Sequence, residues 1–64
     1  MIKAALEHCG YTDGEPTEEL LIECFLDYVD SGAFGNLTVE EAREDIESGE
    51  ISIEMICRNL MKLR

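Results

Sequence analysis

From Leu20 to Val29 the chain is apolar almost all the way round the axis a helix would have. Leu20, Leu21, Ile22, Cys24, Phe25, Leu26, Tyr28 and Val29 leave Glu19, Glu23, Asp27 and Asp30 as a narrow polar stripe, spaced i, i+4, i+8, i+11. A helix with so little wet surface has to be covered on several sides. The segment is therefore the expected centre of the fold, and its neighbours are expected to pack around it. Thr17 offers an N-cap hydroxyl, Glu18 and Glu19 complement the helix dipole in the first turn, and Gly32 is a stop. These signals predict a helix over residues 18–30.

Three shorter segments carry the same periodicity. Ile2, Ala5, Leu6 and Cys9 predict a helix over residues 2–9, with Gly10 placed for a left-handed stop. Thr38 and Glu41 read as a capping box opening a helix over residues 39–48. That helix is thinly apolar (Val39, Ala42, Ile46) and belongs on the surface. Ser52 caps a fourth, over residues 53–63, where Ile53, Ile56, Leu60 and Leu63 form a stripe that Met55, Cys57 and Met61 widen. Its Glu54–Arg58 pair has the favourable i, i+4 orientation. Residues 11–16, with the Asp13-Gly14 turn pair and Pro16, and residues 32–36 are loops. The alternation over residues 50–54 could suit a strand, but it has no partner strand, and an isolated one is unstable. The expected fold is one all-α domain, a small bundle of four short helices.

A chain of 64 residues buries only about 60% of its unfolded surface, so small domains lean on disulfides, metals, tight packing or a partner. Cys9, Cys24 and Cys57 are odd in number and contain no CxxC pair, and His8 is the single histidine. A disulfide framework and a zinc cluster are both excluded. Unpaired cysteines fit a reducing compartment, and neither a signal-peptide pattern nor a membrane-length apolar run is present. A cytoplasmic protein is expected. The formal net charge is −10, from 5 basic and 15 acidic residues. Glu40, Glu41, Glu44, Asp45, Glu47, Glu50 and Glu54 face a lone Arg43 between residues 37 and 54, while Arg58, Lys62 and Arg64 close the chain. Such a surface repels phosphate backbones and anionic lipid, so direct nucleic-acid and membrane binding are not expected.

Residues 30–41 resemble an EF-hand loop in outline. Asp30 stands at position 1, Gly35 at 6, Leu37 at 8 and Glu41 at 12, between two predicted helices. Positions 3 and 5 are Gly32 and Phe34, which bring no side-chain oxygen, so no metal site is expected. The resemblance implies at most a degenerate calcium-responsive domain.

Catalytic chemistry has little to work with. His8 and Cys9 are adjacent on a helix and point about 100° apart, and no Ser-His-Asp or Cys-His set can be assembled. Phosphate-cradling glycine motifs are absent from the sequence. No catalytic residue and no cofactor are expected, and the chain reads as a non-enzyme.

Two features point to protein binding. Helices two and four hold more apolar surface than short neighbours readily cover, which suggests self-association, as a homodimer, through Leu21, Phe25, Tyr28, Phe34, Ile56 and Leu60. The rows Glu19, Glu23, Asp27 and Glu40, Glu44, Glu47 suit a basic protein surface. The leading expectation is a small protein-interaction module that contacts itself. The alternative is an acidic, nucleic-acid-mimicking inhibitor of a nucleic-acid-binding protein, of the kind mobile elements encode. Tyr11 and Phe34, aromatic residues in loops, fit either a core plug or an interface rim.

Overall fold

The computed structural model describes residues 1–11 and 14–63. It contains four α-helices: α1 (Ile2–His8), α2 (Glu18–Asp30), α3 (Val39–Ser48) and α4 (Ile53–Met61). The chain is an all-α bundle of four short helices, as the periodicity predicts, with no strand among the described residues. Asp13 of the expected turn pair and Arg64 of the basic terminus lie outside the described residues.

Three hydroxyls open three helices in the same way. Thr17 Oγ1 accepts from the Leu20 N–H at 3.2 Å, Thr38 Oγ1 from Glu41 at 3.1 Å, and Ser52 Oγ from Met55 at 3.2 Å. Each satisfies an N–H that has no partner inside the helix. The Thr38 box closes from one side only. The return bond from the Thr38 N–H to the Glu41 carboxylate is not formed among the described residues.

Two helices also stop alike. After α1 the Gly10 N–H reaches the Glu7 carbonyl at 3.0 Å and the Tyr11 N–H reaches Leu6 at 2.8 Å. After α2, Gly32 reaches Val29 at 3.1 Å and Ala33 reaches Tyr28 at 3.0 Å. Both patterns are Schellman closures, which need a left-handed residue, and Gly10 and Gly32 have φ of 87° and 88°. Cys9 is thus the cap of α1 rather than its last residue. Helix α4 ends two residues earlier than expected. Lys62 and Leu63 donate to Asn59 and Leu60, three residues back, which tightens the last turn out of α geometry. Leu63 still packs against the core from beyond the helix.

Helices α1, α2 and α4 all touch one another, whereas α3 packs against α2 alone. The core draws Ala5 and Leu6 from α1, Leu21, Cys24, Phe25 and Val29 from α2, and Ile56, Cys57 and Leu60 from α4. Helix α3 adds only Ala42. No polar or charged side chain is buried among the described residues, so no desolvation penalty offsets this packing. The centrality of α2 follows from its apolar girth, since it is the one helix that meets all three others.

Candidate interaction surfaces

The residues expected to form an apolar contact face are mostly inside the chain. Leu21, Phe25, Ile56 and Leu60 are at most 1% exposed, packed against helices of their own chain, and in this conformation they offer a partner no surface. Leu21, Cys24, Phe25 and Val29 of α2 are covered by the chain's own helices and loops, while Leu20, Ile22, Leu26 and Tyr28 stay half-buried. Tyr28 and Phe34 are half-buried. The Phe34 ring lies 5.1 Å from that of Phe25, which makes Phe34 a plug over the core. Tyr11 sits at the rim, 36% exposed, its hydroxyl donating to Asp27 Oδ2 at 3.3 Å.

Other apolar side chains take the outside positions. Met1, Met55 and Met61 are 73%, 43% and 47% exposed. Met1 and Met61, with Ala4, Cys57, Glu54 and Arg58, line a shallow hollow of about 320 Å³ between α1 and α4. Arg58 donates to Glu54 at 2.7 Å across its edge. The sequence contained a partial signal for this face. Met55 and Met61 flank the aliphatic stripe of α4 and so sit where burial gives way to solvent.

Every residue of the two predicted acidic rows is exposed: Glu19, Glu23 and Asp27 on α2, and Glu40, Glu44 and Glu47 on α3. The bundle does not merge them into one patch. Glu19, Glu23 and Glu47 border a groove of about 370 Å³ between α2 and α3, with Ile22, Leu26 and Ile46 below and Arg43 alongside. Glu40 borders a separate hollow formed by the loop after α2, together with Asp30, Asn36 and Thr38. Asp27 is drawn to Tyr11.

In the loop that resembles an EF-hand, Thr38 and Glu41 serve the cap of α3 through the threonine hydroxyl and the glutamate N–H. Among the described residues no group of three or more His, Cys, Asp or Glu side chains could hold a metal ion. His8 is exposed, with its Nε2 donating to the Leu63 carbonyl, so it ties α1 to the end of α4. The two buried thiols, Cys24 and Cys57, are held in their protonated form. Burial pushes Cys24 up to about 12, and the nearby Cys9 and Asp27 add to the shift. Burial raises Cys57 as well. Thiols that hold their protons so firmly make poor nucleophiles. Among the described residues no helix is long and apolar enough to cross a membrane.

The chain matches no protein-family model, no curated protein and no solved structure. Its functional reading therefore rests on its own surfaces.

Proposed function

We propose that this protein is a small, non-catalytic, cytoplasmic interaction module that associates with a second copy of itself through the α1/α4 face. The observation that carries the reading is the exposure of Met1 and Met61, which line the hollow between α1 and α4. Methionine is flexible and polarizable, which suits an adaptable contact surface, and exposed apolar clusters mark association sites. The rim of the hollow is self-complementary. When α4 packs antiparallel on its copy about a two-fold axis, Glu54 of one chain comes opposite Arg58 of the other. The three unpaired thiols support a reducing compartment, and the protonated, buried state of two of them supports a role without covalent chemistry.

Sedimentation equilibrium over a wide concentration range tests this reading. A monomer–dimer equilibrium is expected, and Met61→Asp should weaken it at least about tenfold, the equivalent of 1.4 kcal/mol. Met61 is exposed, so the fold should survive the change. A protein that stays monomeric at every concentration, or a dimer indifferent to Met61→Asp, would remove the proposal.

A further inference from the structure

We infer that the groove between α2 and α3 is a docking site for a basic, amphipathic helical segment of a partner protein. This inference does not depend on self-association, which uses the opposite pair of helices.

The groove begins with the isolation of α3. Helices α1, α2 and α4 cover one another, but α3 has α2 as its only helical neighbour. One flank of the α2/α3 pair therefore lacks the helix that a closed bundle would place there. Ile22 and Leu26 of α2 and Ile46 of α3 are left half-buried on that flank. Glu19 to Leu26 covers about 10 Å along the axis at 1.5 Å per residue, roughly two turns, the length over which one helix settles its ridges into the groove of a pair. An occupant with aliphatic residues at i, i+3 or i+4, and i+7 matches this floor.

Charge selects among such helices. The floor is flanked by Glu19 and Glu23 on one side and Glu47 on the other. Arg43 is the one cation lining the groove, and it forms no ion pair within 4.0 Å among the described residues. Lysines or arginines beside the aliphatic stripe of the occupant would meet the glutamates and leave Arg43 at the edge. A second copy of this chain brings a net charge of −10 to a rim that is already acidic, so it is disfavoured here, and nucleic acid is disfavoured for the same reason.

The test uses a synthetic helix of leucine and lysine with leucines at i, i+3, i+4 and i+7. Controls are a scrambled peptide of identical composition and a leucine–glutamate helix. Binding is followed by titration calorimetry and by amide shifts in the full chain. The amphipathic basic peptide should shift the amides of Ile22, Leu26 and Ile46, and the other two should bind far less. Glu19→Lys with Glu23→Lys should weaken binding at least about tenfold at low salt. Glu40→Lys with Glu50→Lys changes net charge equally but away from the groove, and should keep affinity within about threefold. Four results would each overturn the inference: no binding, equal binding of the scrambled peptide, equal losses in the two double variants, or shifts confined to the α1/α4 methionines. The last would assign the peptide to the self-association face instead.

Discussion

The ring of Phe34, from the loop after α2, leans over the ring of Phe25 at 5.1 Å and 41°. Phe25 is fully buried at the middle of α2, and Phe34 is half-buried. The loop thus closes the core where α3 gives little cover. Tilted aromatic pairs add about 0.5–1.5 kcal/mol beyond their buried area. A domain of this size has about 3–10 kcal/mol in all. Phe34→Ala should lower stability by about 2 kcal/mol, less than the roughly 3–5 kcal/mol of a fully buried phenylalanine. Phe34→Leu should recover part of that loss. Urea denaturation measures all three. A Phe34→Ala midpoint equal to wild type would mean the ring does not seal the core.

Helix α3 should be the least stable part of the fold, since it contributes one buried side chain and touches one helix. Its start rests on the Thr38 hydroxyl, without the return bond from Glu41. Removing an N-cap hydroxyl costs about 1 kcal/mol. Thr38→Ala should therefore raise the local opening of α3 about fivefold and accelerate amide exchange over Val39–Ser48 to that extent, while α2 stays protected. Thr17→Ala, at the start of the helix that meets all the others, should lower protection throughout the chain. Exchange patterns that do not differ between the two variants would show that α3 folds as one unit with the rest.

Glycine at the end of α2 can be tested in the same currency. Gly32 has φ of 88° and open space where a Cβ would stand, so Gly32→Ala meets no clash and loses only conformational energy. The expected cost is about 1–2 kcal/mol, and asparagine should cost less than alanine. Equal stabilities for the two variants would mean the loop relaxes out of the left-handed geometry.

The thiols give the chain a pH dependence with a definite sign. Cys24 is held up from the ordinary 9.0 to about 12, and Cys57, Tyr11 and Tyr28 are also raised. A group whose folded pKa is raised keeps its proton more tightly in the native state. Its contribution to stability is whole below about 9 and is lost as pH climbs toward about 12. Urea midpoints should therefore fall through this window, and the fall should be shallower in Cys24→Ala. An unchanged slope in that variant would leave Cys24 out of the effect. At neutral pH a thiol reagent should modify half-buried Cys9 first, and reach Cys24 and Cys57 only on unfolding.

Much of this fold was legible because helix signals here are local. Thr17, Thr38, Ser52, Gly10 and Gly32 act within a turn of their own positions, and each does what its residue type allows. The contact surface was less legible for a physical reason. The pattern of α2 says that Leu21 and Phe25 are apolar and must be covered, but not whether the cover is α1 and α4 or another chain. Nothing in residues 39–48 declares that α3 will touch only α2. That fact is tertiary, and it is what opens the groove over Ile22, Leu26 and Ile46. The two acidic rows are plain in the sequence, but not that the fold brings Glu19, Glu23 and Glu47 to one groove, leaves Glu40 at a loop hollow and draws Asp27 to Tyr11.

The stripe Glu19–Glu23–Asp27 sets like charges one turn apart on an exposed helix face, and each such i, i+4 pair is unfavourable by about 0.2–0.5 kcal/mol. Asp27 also accepts from Tyr11, so the central residue is the one to change. Glu23→Lys turns both pairs attractive, with Glu19 on the favourable N-terminal side of the new lysine. The gain, counting the repulsion removed and the attraction added in both pairs, should be about 0.8–2 kcal/mol at low salt, which raises the melting temperature by several degrees in a domain of this size. At about 1 M salt the screening length falls to about 3 Å, so the advantage should largely vanish while the wild type itself becomes more stable. Thermal melts of both proteins at low and high salt decide the matter. A gain that persists unchanged at high salt would trace to helix propensity or packing, and the stripe would then carry no electrostatic strain for a basic partner to relieve.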